Sequence, residues 1–159
     1  MDFERQILKD SALDEVALSQ EHRAPVDHWA PHILLERAVY LRKMAKAGNG
    51  SAGETLREYP RHKAALSFRS RSGEVEVHDK FADLFYVLAG ATTLVTGGKV
   101  TGARTIAPGE TRGDAIEGGT RQELKPGDLA HVPAGAPHQM LLAGDQTLTY
   151  FILKIQETD

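Results

Sequence analysis

The spacing of apolar residues along the chain changes its period once, near residue 62. Before that point Leu34, Ala38, Leu41 and Ala45 recur at the i, i+4, i+7 and i+11 positions of one helical face, and Pro31 suits a first helical turn. Gly48-Asn49-Gly50 stops that helix, and Ser51-Ala52-Gly53-Glu54 has the form of a capping box, which predicts one further helical turn before Pro60. Residues 1–30 are polar and mixed, with short helical turns expected around 7–18. After His62 the period falls to two. Glu74-Val75-Glu76-Val77-His78 alternates strictly, and 64–71, 81–88, 121–124, 129–132, 138–142 and 147–155 read as short strands between Gly and Pro signals. Gly97-Gly98 predicts a hairpin pairing 91–96 with 99–104, and the glycine- and charge-rich 106–119 reads as a long loop. The expected organisation is a helical extension over 1–62, packed on the rest or on a second subunit, and an antiparallel β-sandwich or barrel over 63–159.

Composition narrows the classes. A chain of 159 residues is one domain with room for a core, and 41% hydrophobic with 26% charged residues is ordinary for a soluble globular protein. A net charge of −3, with basic residues only in small groups such as Arg42-Lys43 and Arg61-His62-Lys63, gives no face for nucleic acid. No apolar run approaches the roughly 18 residues of a membrane span, so no membrane partner is expected. Met1-Asp2-Phe3-Glu4-Arg5 lacks a secretory layout, which makes the cytoplasm the expected location. With no cysteine, any metal site must use His, Asp, Glu or water.

The candidate chemistry starts from Gly127 to His138, where glycine and proline at 127, 133, 135 and 137 bracket a short apolar run and end on a histidine. Such a histidine is held between a rigid turn and a buried strand, as a metal ligand must be. Strand alternation puts Glu76 with His78 on one face, Asp83 with Phe85 and Val87, and His138 with Met140 and Leu142. If those faces line one interior, His78, Asp83 and His138 meet there. Two imidazoles and a carboxylate make a mixed nitrogen and oxygen site for a divalent transition metal (Fe, Mn, Ni, Co or Zn) with open positions for water or substrate. Phe85, Met140 and Leu142 would be cavity wall, which favours a small, partly apolar ligand, and Tyr86 would point away.

Gly127, Pro133, Gly135 and His138 match the second motif of the cupin superfamily, Gly-x5-Pro-x-Gly-x2-His, at every spacing. The stretch ending at Gly90 resembles the first motif, Gly-x5-His-x-His-x3,4-Glu-x6-Gly, with His78 at its second histidine and Asp83 in place of its glutamate. Glu76 stands where the first histidine belongs, Ser70 where the opening glycine belongs, and Leu142 where an asparagine often follows the last histidine. The resemblance covers roughly 64–155. It implies an all-β fold, a double-stranded β-helix (jelly-roll) barrel with a metal near its mouth, commonly a homodimer, with Glu76 a fourth candidate ligand.

Each residue also has a plainer role. His138 could be a turn histidine bonded to backbone, His78 and Asp83 a cross-strand ion pair, and Glu76 part of a solvated strand face. Glu76, His131 and Glu110 are the candidate proton carriers, with Arg112 a candidate anion clamp. Against this, His131 could simply be packed, and Glu110 and Arg112 could solvate a loop. His28 and His32 are read as structural, because Pro31 interrupts the helix between them. The function expected is a metal-dependent enzyme of oxygenase, isomerase or lyase type acting on a small organic substrate. Alternatives are a non-catalytic module that binds or senses a small molecule, and a barrel braced by its metal.

Overall fold

A computed structural model describes residues 26–158; the helical turns expected around 7–18 lie outside these residues. Helix α1 (Pro31–Ala47) has Pro at its first turn, and the Gly48 N–H closes it on the carbonyls of Met44 and Ala45. Thirteen strands follow: β1 (Ser51–Glu58), β2 (His62–Arg69), β3 (Val75–His78), β4 (Phe81–Gly90), β5 (Thr92–Thr96), β6 (Lys99–Thr101), β7 (Arg104–Ala107), β8 (Glu110–Gly113), β9 (Ala115–Glu117), β10 (Thr120–Leu124), β11 (Leu129–Val132), β12 (His138–Leu141) and β13 (Leu148–Gln156). They form a five-stranded sheet ordered β1-β2-β13-β4-β11 and a six-stranded sheet ordered β10-β5-β12-β3-β8-β7, with β6 and β9 paired apart. All pairings are antiparallel, and the two large sheets make the jelly-roll barrel.

Two apolar clusters follow from the two sides of the five-stranded sheet. Leu34, Ala38, Leu41 and Ala45, the residues of the expected helical face, pack on Leu66 and Phe68 of β2. Between the sheets Phe85, Val87, Leu94, Leu124, Val132, Met140, Leu148, Tyr150 and Ile152 form the main core. Strand period two makes both clusters from the same strands. On β2, Leu66 and Phe68 are buried under the helix and Ala64 is buried on the same strand face, while Ala65 packs on the barrel core. Lys63, Ser67 and Arg69 share the barrel side with it. No described helix is long and apolar enough to cross a membrane.

Three local expectations are corrected. Residues 51–54 are not helical; they begin β1, paired along β2 from Ser51↔Arg69 to Glu58↔Lys63. The Glu54 carboxylate receives two bonds from Arg37, at 2.6 and 2.8 Å, rather than reaching back to the Ser51 amide, which donates instead to Asn49 Oδ1 at 3.3 Å. A free sheet edge and packing of Ala52 and Leu56 on α1 outweigh a capping box worth about 1 kcal/mol. The first 62 residues therefore contribute a sheet strand as well as a helix.

The second correction concerns Gly97-Gly98, which turns the chain with φ of 70° and 71° but does not join a hairpin. β5 is flanked by β10 and β12, leaving no edge for 99–104, so β6 pairs with β9. Third, 106–119 is not a long loop. It carries the end of β7, all of β8 and β9, and a turn at Gly109. This last difference matters to the site, because β8 pairs with β3.

Gly90 ends β4 at φ 81°, and a Cβ there would overlap the Thr147 carbonyl oxygen where β13 begins. Gly90→Ala adds both a steric clash with backbone and a disfavoured φ. It is expected to destabilise the chain by about 2–4 kcal/mol in urea unfolding, whereas Gly135→Ala, with open space around it, should cost less. Equal costs would contradict this packing.

Candidate metal centre

Antiparallel register brings five strands to one point. His138 on β12 lies opposite Glu76 on β3, and β3 places His78 opposite Glu110 on β8. Asp83 on β4 faces Lys154 on β13. Each faces the barrel interior because its strand alternates: Asp83, Phe85 and Val87 point in on β4, and Tyr150, Ile152 and Lys154 point in on β13. Tyr86 points out and is exposed, as expected.

The result is a group of Glu76, His78, Asp83 and His138 whose donor atoms all lie within 4.8 Å of one another. His78, Asp83 and His138 are 3%, 1% and 4% exposed. Both imidazoles present Nε2 to the same carboxylate oxygen: Asp83 Oδ2 is 3.4 Å from His78 and 3.3 Å from His138. Glu76 Oε2 is 3.2 Å from His78 Nε2. The other ring nitrogens are tied down. His138 Nδ1–H donates to the Ala136 carbonyl at 3.1 Å, and His78 Nδ1–H donates to Glu110 Oε2 at 2.7 Å. In the neutral form of each ring that arrangement fixes the tautomer and turns the Nε2 lone pair toward the group, the usual preparation of a metal-ligating histidine.

A fifth member, Lys154, escaped the sequence reading. Its ammonium donates to Asp83 Oδ1 and Oδ2 at 2.7 and 2.9 Å, and lies 2.9 Å from His78 Nε2. The period-two pattern of Tyr150, Ile152 and Lys154 was the available signal, but only the register of β13 against β4 shows which carboxylate it meets.

The residues fit a divalent cation by chemistry. Two imidazole nitrogens and two carboxylates are hard-to-borderline donors, and Lys154 already supplies a positive charge at the same atoms. Ligands at about 2.1 Å from one ion lie no more than about 4.2 Å apart, so the group needs only a small contraction. Among described residues no buried side-chain polar atom lacks a partner, which Lys154 makes possible without an ion.

Electrostatics within the group are strongly coupled. Burial alone would raise Asp83, but hydrogen bonds from His138 and His78 and the Lys154 charge hold its carboxyl far below the usual range. Glu76 is likewise pushed up by burial, yet the His78 hydrogen bond and the Arg112 charge hold it at about 2. For His78 burial and Lys154 lower the pKa, but hydrogen bonds to Asp83 and Glu76 prevail and lift it to about 9. When neutral, its Nε2 accepts from Lys154; when protonated, it donates to Asp83 or Glu76.

The remaining candidates separate clearly. Glu110 and Arg112 sit on β8 rather than in a loop; Glu110 orients His78, and Arg112 Nη1 bonds Glu110 at 3.3 Å and the Thr111 carbonyl at 3.0 Å. His131 is corrected: Val132 takes the inward position on β11, so His131 faces out, half exposed, 3.8 Å from Glu157. Phe85 and Met140 line a cavity beside the group, with Arg69, Tyr150 and Ile152, but Leu142 does not. That cavity, about 30 Å³, has room for about one water. Room for an organic ligand lies on the other side, in a chamber of about 230 Å³ lined by Lys63, Glu76, His78, Phe81, Glu110, Arg112 and Lys154. Its wall is more polar than the alternation of β4 and β12 suggested.

No protein-family model matches the sequence, and no curated protein matches it. Solved structures do. A Klebsiella pneumoniae protein with a double-stranded β-helix domain is 14% identical, with TM-score 0.51 over 69% of this chain and 79% of its own. KdgF from Halomonas sp. is 18% identical, with TM-score 0.50 over 70% of this chain and 85% of its own. An oxalate decarboxylase is 13% identical, with TM-score 0.50 over 70% of this chain but 27% of its own. At such identities the likeness concerns the fold.

Two outcomes test the site. Glu110→Gln keeps the fold but loses the charge-assisted hold on His78 Nδ1, and is expected to weaken binding of Mn²⁺ or Ni²⁺ about 10–100-fold by calorimetric titration; unchanged affinity would mean that Glu110 does not position the imidazole. In metal-free protein the raised pKa of His78 contributes stability that is full below about 6.5 and is lost as pH climbs through about 9. Glu76 contributes the reverse: stability present above about 4.5 and lost as pH falls through about 2. The urea midpoint should therefore fall between pH 6.5 and 9, and more steeply than in His78→Gln. Parallel profiles in that window would contradict the assignment.

Proposed function

Starting from a cupin-type double-stranded β-helix barrel, we propose that this protein binds a divalent transition metal through His78, Asp83, His138 and Glu76 and acts as a metal-dependent enzyme on a small organic molecule. The observation that carries the reading is the convergence of four donor atoms within 4.8 Å, buried behind a chamber open enough for a ligand. Once bound, the metal would polarise a substrate oxygen or carbonyl. The chain supplies the rest. Glu110 holds His78 in the ligating tautomer, and the Ala136 carbonyl does so for His138. Glu76 is a carboxylate throughout the neutral range and suits a proton acceptor or ligand rather than a general acid. Arg112, beside Glu110 and within 4.0 Å of Glu76, keeps positive charge at the chamber wall. His131 has no part in this arrangement.

A second reading, a non-catalytic binding or sensing module, is favoured by Lys154. Its ammonium pairs with Asp83 without a metal, which leaves the chamber free for a ligand. For self-association, Ile33, Val39, Tyr40 and Met44 on the outward side of α1 are exposed apolar residues suited to a homodimer contact.

Elemental analysis of protein purified without added metal separates these readings when repeated on His78→Ala and His138→Ala. The enzyme reading expects near-stoichiometric metal in the parent chain, at least tenfold less in each variant, and loss of metal-dependent turnover. Equal metal content in all three proteins would remove the proposed site.

A further inference from the structure

The chamber beside the four donors is lined by three cations and two carboxylates, with a third carboxylate behind. Lys63, Arg112 and Lys154 line it with Glu76 and Glu110, and Asp83 lies behind Lys154. Arg112 is engaged by Glu110 and by backbone, and Lys154 by Asp83. The Lys63 side chain has no hydrogen bond or ion pair among the described residues. Register makes this more than a loose surface lysine. Asp83 on β4, Lys154 on β13 and Lys63 on β2 stand directly opposite one another in a row across three paired strands. Directly opposed residues share a face, so two ammonium-bearing side chains are adjacent on the barrel side, with Asp83 beyond Lys154 and Glu58 beyond Lys63. Like charges so placed are unfavourable unless an anion joins them. Glu58 is opposite Lys63 on β1 and could do so, but it makes no salt bridge with it.

We infer that the chamber is a subsite for a small carboxylate ligand, recognised by the unpaired Lys63 together with Lys154 at the end of the Asp83–Lys154–Lys63 row. The volume of about 230 Å³ falls below the roughly 300–1,000 Å³ of pockets for drug-sized ligands, which suits a short organic acid. Phe81 supplies one apolar wall for its carbon skeleton. This inference rests in part on the metal reading, which adds to it. Lys154 cannot keep both its Asp83 and His78 contacts if a divalent cation draws on the same atoms, and its four-carbon stem lets the ammonium turn toward Lys63. The chamber then holds two ammonium groups facing a ligand, and the added positive charge favours an anion further.

Calorimetric titration of the full chain with succinate and with its uncharged diamide, succinamide, tests this, with the protein metal-free and Mn²⁺-loaded and the metal content measured in parallel. Succinate is expected to bind and succinamide to bind at least about tenfold more weakly. Lys63→Met should weaken succinate about tenfold, and Lys63→Arg should restore most of it; thermal melts show whether either variant is folded. Equal binding of the two probes, absence of succinate binding in both metal states, or a folded Lys63→Met variant with parent affinity would overturn the inference. A chain that takes no Mn²⁺ yet discriminates succinate from succinamide keeps the subsite and removes the metal reading. A chain that takes Mn²⁺ without discriminating does the reverse.

Discussion

Asp83 is the constraint on which the rest of the site depends. Its carboxylate is almost fully buried and carries a full charge, and an unpaired charge in that position would cost several kcal/mol. The barrel meets that cost from three sides, with Lys154 at 2.7 Å and both imidazoles within 3.4 Å. Glu76 and Glu110 in turn hold His78, and Arg112 is held by Glu110. Remove Lys154 or either histidine and Asp83 loses a partner that water cannot easily replace, a loss of about 3–5 kcal/mol where no substitute is present. A divalent cation is one such substitute. The arrangement therefore needs positive charge beside Asp83, and Lys154 and a metal are alternative ways of supplying it.

That geometry is a product of register more than of local sequence. Glu76, His78, Asp83, His138 and Lys154 come from four strands in two sheets, and a one-residue slip in any ladder would turn its member away from the group. The glycine that ends β4 and the apolar residues between the sheets pin those ladders. Phe85 next to Asp83, and Met140 next to His138 in the inward series, bind the polar group to the core directly.

Much of this was legible in the sequence, because it rests on period and on local turns. The buried face of α1, the alternation in β3 and the bend that aims His138 need only neighbouring residues. So does the inward series of β4, which paired Asp83 with Phe85. What was not legible depends on pairing at a distance. Residues 51–54 had the composition of a helix cap, but the edge of β2 and Arg37 claimed them. Gly97-Gly98 gave a correct turn and a wrong partner, because β5 had both neighbours already. Glu110 was assigned to a loop, since nothing near it in sequence announces β3 as its partner. Lys154 was missed for the same reason: its charge reads as an exposed strand end until the Asp83 register is known.

The site thus combines a candidate donor set of two histidines and two carboxylates with an internal ammonium, all opening on a chamber of mixed charge. The most direct test of its central claim is pulsed electron paramagnetic resonance on protein loaded with Mn²⁺, which counts the imidazole nitrogens bound to the ion. Two coordinated imidazoles in the parent chain, and one in His78→Gln or His138→Gln, are the predicted result. An ion bound with no imidazole signal in the parent chain would place the metal elsewhere and contradict the account.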